Sequence, residues 1–232
     1  MNANLVVALD FPGAGEAFAL AEKLRGVAPW MKVGLELFTA EGPRMVSGLR
    51  DKGFRVFLDL KFHDIPNTVK GAAKSAASLG ADLITLHHAG GERMAASALE
   101  GVREAGRPVL VFAVSILTSA SPREAGFASA AEVTEAVAAK AREAKAWGLP
   151  GLVCSGHEAS AVKAACGPDF LCLCPGIRMA GDARGDQSRV MTPAEAIAAG
   201  ADFLVMGRPI TQAADPRGAA KAALENMTSA RN

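Results

Sequence analysis

Eight short apolar runs alternate along the chain with longer alanine-rich segments. The runs cover residues 5–11, 31–38, 55–62, 81–89, 108–117, 151–156, 170–177 and 201–210. Several of them are almost continuously apolar, which is typical of parallel strands that helices cover on both faces. The pattern therefore predicts eight strands, each followed by a helical segment.

Glycines and polar residues indicate where the predicted helices begin and end. Most alanine-rich segments end at a glycine, for example Gly80 and Gly148, where a left-handed residue turns the chain back into a strand. After the third run, we expect Asn67 to cap the next helix with its side chain. Ile65 precedes Pro66 and is expected to have an extended backbone.

Eight strand-then-helix units within 232 residues favour a closed (β/α)8 barrel, the TIM barrel, in the α/β class. An open, doubly wound sheet is the competing architecture, but no GxGxxG motif follows the first run. The chain shows neither a linker nor a break in composition. We therefore predict a single domain over residues 1–232.

The composition of the chain argues against several classes of binding partner: nucleic acid, membranes and metal ions held by cysteines. The chain has 25 basic and 24 acidic residues and a net charge of +1, which predicts no general binding to nucleic acid. It has neither a signal-peptide pattern nor an apolar run of membrane-spanning length, so we expect no membrane association and a cytoplasmic location. Its four cysteines form no CxxC pair and are expected to be buried thiols rather than metal ligands.

The stretch FLDLKFHDIP, residues 57–66, places charged side chains where the pattern indicates a buried strand. Asp59 and Lys61 are two positions apart and must share one face of the strand, opposite Leu58. They should face the barrel interior near its mouth, where Lys32 of the neighbouring strand can join them. Buried charges are rare unless paired, so this is either an ion-pair ladder or an active site. Their position at a strand end favours the active site.

Polar residues also gather after the seventh and eighth runs. Residues 175–193 form a long, glycine-containing connection with several arginines, which is typical of a lid that closes over an anionic ligand. The loops after strands seven and eight are the usual phosphate site of such barrels. There Arg208 and the amide groups of Gly207 and Arg208 could hold a phosphate. A solvated surface loop is the alternative.

The segment LDLKFHDIPNTV, residues 58–69, closely resembles the signature of the orotidine 5′-monophosphate decarboxylase family. Further matching segments follow in family order: VALDF (7–11), KVGLELF (32–38), LTS (117–119), PGIR (175–178), DQSR (186–189) and MGRPI (206–210). A DxKxxD motif alone would be weaker evidence for this family, because related sugar-phosphate decarboxylases and aldol-type synthases share that motif. His88 departs from the family pattern, in which small residues are common at that position.

The resemblance implies roles for individual residues. The catalytic residues it implies are Lys61, Asp59, Asp64 and Lys32. Lys61 would donate the proton to C6 of the pyrimidine, and Asp59 would lie against the substrate carboxylate. The substrate-binding residues it implies are Asp10 and Lys32 at the ribose, Asp59, Thr68, Thr118 at the pyrimidine, and Arg178, Gln187, Gly207 and Arg208 at the phosphate. Asp64 and Thr68 would reach into the partner's site, which implies a homodimer.

The implied reaction converts orotidine 5′-monophosphate to UMP and CO2 in pyrimidine biosynthesis, with neither a cofactor nor a metal. One alternative is a related Mg²⁺-dependent enzyme of the 3-keto-gulonate 6-phosphate decarboxylase type. Another is a catalytically silent nucleotide-binding protein, although the intact Asp-Lys-Asp set argues against it.

Overall fold

A computed structural model describes residues 3–181 and 189–229. Their strands form a closed barrel in which every neighbour is parallel and β1 pairs with β8, as the sequence predicts. The strands are β1 Asn4–Ala8, β2 Trp30–Gly34, β3 Arg55–Phe62, β4 Leu83–His87, β5 Leu110–Val114, β6 Gly151–Val153, β7 Leu171–Cys174 and β8 Phe203–Met206. The extent of the domain, residues 1–232, stays a prediction.

Helices surround the barrel. They are α1 Ala14–Lys23, α2 Leu35–Glu41, α3 Arg44–Asp51, α4 Pro66–Leu79, α5 Gly91–Glu104, α6 Ala130–Ala146, α7 Gly156–Cys166, α8 Pro193–Ala198, α9 Arg208–Thr211 and α10 Pro216–Ser229. His88–Gly90 form a single 3₁₀ turn after β4. Gly80 ends α4 with φ 103°, a left-handed conformation that a residue with a Cβ adopts only at a cost.

Seven of the eight apolar runs extend two to four residues beyond the strand they predict, and in the second and eighth runs the end of the run folds into a helix. In the second run, β2 stops at Gly34 and residues 35–41 form α2; in the eighth, β8 stops at Met206 and Arg208 begins α9. A short apolar run is compatible with either a strand or a buried helix, so the pattern LELF could not separate the two. Both changes shorten the strands at the barrel mouth.

The predicted cap of α4 is wrong. The helix begins at Pro66, Ile65 occupies the capping position, and Asn67 lies within the first turn with no side-chain cap present. Proline suits the first helical position because its ring fixes a helical φ and it needs no amide partner there. Ile65 has φ −57° and ψ 149°, the extended backbone expected before a proline.

The barrel interior is packed at the end opposite the mouth by three aromatic rings, here called the aromatic floor: Trp30, Phe112 and Phe203. The Phe203 ring meets Trp30 edge-on at 5.4 Å and Phe112 edge-on at 5.9 Å between centroids. All three side chains are buried. The interior is therefore solid below the level at which the polar side chains begin.

A second core lies between the strands and the helices. It contains Cys154, Cys172 and Cys174, which are buried free thiols, as is Cys166 in α7. A hydrogen bond with Cys154 and burial raise the pKa of Cys172 well above its usual range. These thiols pack as small apolar groups, in agreement with the expectation from their spacing. Within the described ranges, every helix is too short or too polar to span a lipid bilayer.

Candidate active site

Four charged side chains meet at the carboxyl ends of β1, β2 and β3. The Lys32 ammonium donates to Asp10 Oδ1 at 2.8 Å and lies 3.9 Å from Asp59 Oδ2. The Lys61 ammonium donates to the same Asp59 Oδ2 at 2.8 Å. Carboxylates and ammonium groups alternate along this row, here called the charge array. Each ammonium thus lies beside a carboxylate of opposite charge.

Burial differs along the charge array. The side chains of Lys32 and Asp59 are only 11% and 12% exposed, whereas Lys61 is 29% and Asp10 is 57% exposed. Electrostatic interactions strengthen as water is excluded. The electrostatic field is therefore strongest around the buried pair, Lys32 and Asp59. Lys61 lies next to this pair and is more exposed.

The backbone at Lys61 departs from a regular strand. Lys61 has φ 50°, and it is the one non-glycine residue of the described chain with a positive φ. The pairing of β3 with β4 shifts register between Leu58 and Phe62. Thr85, fully buried on β4, accepts a hydrogen bond from the Lys61 amide at 3.1 Å and donates one to Asp59 Oδ1 at 2.8 Å. Sequence analysis did not single out Thr85.

Two adjoining cavities open above the aromatic floor and share Lys32, Pro175 and Val205 in their walls. The larger is about 520 Å³ and reaches from Asp10 towards the loops after β7 and β8. The smaller is about 210 Å³ and contains Asp59 and Lys61. Together they have the size and mixed polar and apolar lining typical of a site for a small ligand.

The predicted phosphate residues lie around the larger cavity. Arg178, Gly207 and Arg208 all line it. Arg178 is buried, and one of its guanidinium nitrogens donates to the carbonyl of Ile177 at 2.9 Å. Gln187 lies outside the described residues, as do the other residues of 182–188 in the middle of the arginine-rich connection predicted to form a lid.

Comparisons with known proteins show the family to which the chain belongs. The family model described as orotidine 5′-phosphate decarboxylase / HUMPS family matches residues 3–223. The chain belongs to this family. A protein of Nitratidesulfovibrio vulgaris (strain DP4) named orotidine 5′-phosphate decarboxylase is 55% identical, with 99% of both chains covered. One of that name from Alkalilimnicola ehrlichii is 49% identical, over 100% of this chain and 98% of its own.

A solved structure supports the same assignment to the decarboxylase family. The crystal structure of orotidine 5′-phosphate decarboxylase from Lactobacillus acidophilus superposes with a TM-score of 0.83 at 36% identity. The superposition covers 97% of this chain and 99% of that chain. The fold, the matched length and the family signature therefore agree.

In this member of the decarboxylase family, the loop after β5 forms one wall of the smaller cavity. Thr118 lies in that wall together with Asp59 and Lys61. Arg189 reaches the loop by donating to the carbonyl of Leu117 at 3.4 Å, and it pairs with Glu158 of α7 at 2.5 Å. This long-range ion pair was not predicted, because no local pattern relates positions 158 and 189.

Asp64 and Thr68 lie outside the cavity of their own chain. Both are exposed, and Asp64 Oδ1 accepts a hydrogen bond from the amide of Ile65 at 2.6 Å. Among the described residues, no lysine or arginine lies within ion-pair distance of Asp64. Ile65 itself is 67% exposed, which is unusual for a large apolar side chain. Of the predicted catalytic residues, Asp64 alone is not joined to the charge array of its own chain.

The adjacent histidines of this decarboxylase-family chain, His87 at the end of β4 and His88 in the following 3₁₀ turn, face different surroundings. The ring of His87 lies 5.4 Å from that of His63, and burial, followed by the charges of His63 and Lys61, lowers the pKa of His87. His88 is buried and stacks on Trp147 at 4.6 Å, and burial also lowers its pKa. His88 thus packs in the helix layer and lies outside both cavities.

Proposed function

We propose that this protein decarboxylates orotidine 5′-monophosphate to UMP and CO2. The observation that carries the proposal is the Lys61 ammonium held 2.8 Å from Asp59 in the smaller cavity, which adjoins a larger cavity lined by Arg178 and Arg208. Membership of the decarboxylase family over nearly the whole chain supports it.

The charge array suits a reaction that leaves a carbanion. The bond from C6 to the carboxylate carbon breaks, CO2 departs, and the electron pair stays on C6 in the plane of the ring, where it cannot delocalise. A fixed ammonium beside C6 stabilises that developing charge electrostatically, and its own proton then forms the new C6–H bond. Lys61 supplies both the charge and the proton. Asp59 orients Lys61 and faces the carboxylate that is lost.

The remaining cavity residues bind the rest of the nucleotide. In this proposal, Arg178, Arg208 and the amide of Gly207 hold the phosphate, and Gln187 joins them. Asp10 and Lys32 bind the ribose hydroxyl groups. The position of all the described residues of this set around the larger cavity supports these roles. Binding energy gained at the phosphate, far from C6, can be used to assemble the site around the reacting carbon.

Thr118 lies in the smaller cavity beside the charge array, on the side where the pyrimidine would sit. Its hydroxyl group can donate to or accept from the polar edge of the base. We therefore assign Thr118 to recognition of the pyrimidine.

The active enzyme is proposed to be a homodimer in which Asp64 and Thr68 complete the partner's site. Their exposure in one chain, beside the exposed apolar side chain of Ile65, supports this assembly. Mixing inactive Lys61→Ala and Asp64→Asn subunits should restore about a quarter of full activity, because half of the dimers then carry one intact site. Mixtures that stay inactive would refute the shared site.

A cytoplasmic location is also proposed. All four cysteines are free, although Cys154, Cys172 and Cys174 lie close enough for their thiols to interact. Free thiols are what a reducing compartment maintains. Fractionation of the native host, followed by detection of the chain in the soluble cell extract, tests this.

The central experiment follows the loss of orotidine 5′-monophosphate absorbance with excess chelator present. Wild-type protein should turn over, and Lys61→Ala should lower kcat by at least about 10³-fold, since it removes both a charge and a proton donor. UMP should still bind the variant. Lys52→Ala, on the surface near Glu22, is the matched control and should keep full activity. Loss of wild-type activity in chelator would instead favour the Mg²⁺-dependent alternative.

A further inference from the structure

We propose that Thr85 is a positioning residue that holds Lys61 and Asp59 in the geometry needed for decarboxylation. This inference rests on the proposed function. Thr85 lies on β4, directly beneath the charge array, and its side chain is completely buried. It touches both charged residues through one hydroxyl group, so a change at this single oxygen reaches both.

The direction of the two hydrogen bonds is set by their partners. The Lys61 amide can only donate, so the Thr85 oxygen accepts from it at 3.1 Å. The Asp59 carboxylate oxygen accepts, so the Thr85 hydroxyl proton is directed to Oδ1 at 2.8 Å. A hydroxyl group has one donor and two acceptor positions, and this one serves both charged residues at once.

The bond to the amide compensates an irregular backbone. Leu58 pairs with Ile84 and Phe62 with Leu86, so β3 carries two more residues than β4 across this stretch, and Thr85 faces the excess. Lys61 lies within it at φ 50°, a conformation unfavourable for a residue with a Cβ. The regular β-ladder is interrupted here, and the Thr85 oxygen takes the place of a strand carbonyl as partner of the Lys61 amide.

The bond to the carboxylate fixes which oxygen of Asp59 faces the ammonium groups. With Oδ1 held by Thr85, Oδ2 is directed to the ammonium groups of Lys61 at 2.8 Å and Lys32 at 3.9 Å. Without the hydroxyl group, the carboxylate could rotate about its terminal bond. Thr85 has no exposed surface, so solvent water does not reach its position to replace the lost bond.

The test compares Thr85→Val, which has nearly the same shape but no hydroxyl group, with Thr85→Ser, which keeps it. Thr85→Val should lower kcat about 100-fold, in line with the effect of misplacing a reacting group by an ångström. Its dissociation constant for UMP should change less than about threefold, because the phosphate and ribose contacts remain. Thr85→Ser should recover kcat to within about fivefold of wild type, since the hydroxyl group is restored.

Controls separate positioning from folding. Thr134→Val, at a partly exposed position of α6 where the hydroxyl group donates to the carbonyl of Ala130, should leave kcat unchanged. Should Thr85→Val fail to fold, Thr85→Cys, with its weak thiol donor, takes its place with the same expected loss. A variant that folds and lacks the hydroxyl group but keeps kcat within threefold of wild type would overturn the positioning role. Equal losses of kcat in Thr85→Val and Thr85→Ser would overturn it as well. Inactive wild-type protein would overturn the proposed function itself, and the positioning role with it.

Discussion

Gly34 ends β2 beside the charge array and leaves no room for a side chain. A Cβ at this position would lie 2.8 Å from the Lys32 ammonium nitrogen and 3.2 Å from Asp10 Oδ1. Ordinary contact between non-bonded atoms requires 3.5–4.0 Å, so Gly34→Ala must displace the ammonium by about 1 Å. The aliphatic chain of Lys32 can bend towards the larger cavity, which makes this movement feasible without disturbing the strand.

The backbone permits this substitution. Gly34 has φ −95° and ψ −174°, an extended conformation that alanine adopts readily. Alanine also reduces the conformational entropy of the unfolded chain, which stabilises proteins by about 0.4–1 kcal/mol at compatible sites. We therefore expect Gly34→Ala to keep or slightly raise the melting temperature, while misplacement of Lys32 lowers kcat/KM roughly 100-fold.

Initial rates of orotidine 5′-monophosphate consumption and thermal melting test the expectation together. Gly15→Ala, where a Cβ would meet nothing within 4 Å, is the matched control and should leave kcat/KM unchanged. Gly34→Ala with kcat/KM within threefold of wild type would show that the position of Lys32 does not limit the reaction. A loss of activity accompanied by a lower melting temperature would attribute the effect to the fold instead.

Two further predictions concern stability. Trp30→Ala removes one of the three rings of the aromatic floor and should lower the free energy of unfolding by about 3–5 kcal/mol in urea titrations; an effect below 1 kcal/mol would contradict its packing role. Burial lowers the folded-state pKa of His88 from 6.5, so the stability it contributes is complete above that pH and is lost as pH falls below it. His88→Phe should retain the stacking on Trp147 and flatten the decline in melting temperature between about pH 7.5 and pH 5; an unchanged slope would contradict this.

The architecture could be predicted from the sequence because the barrel repeats one unit. The apolar runs and the glycine-terminated helices each carry local signals, and all eight strands form near the predicted positions. The alternation of Asp59 and Lys61 was also sufficient to place both charges on one side of β3. Such regularities depend on the period of the strand and need no knowledge of distant residues.

The departures from the prediction depend on contacts between distant parts of the chain. The left-handed backbone at Lys61 follows from a register shift against β4, and its partner Thr85 is 24 residues away. The pairing of Glu158 with Arg189 spans 31 residues. Neither relation appears in local periodicity. The early end of β2 was missed for another reason, since an apolar tetrapeptide suits a helix as well as a strand.

The aromatic floor makes the cavity blind. Trp30, Phe112 and Phe203 seal the end of the barrel below the charge array, so the mouth admits the nucleotide and is also the way out for the gas released beside Lys61. Carbon dioxide is formed near this closed end and leaves towards the side from which the nucleotide enters. Release of CO2 and release of UMP therefore take place through the same open end of the barrel.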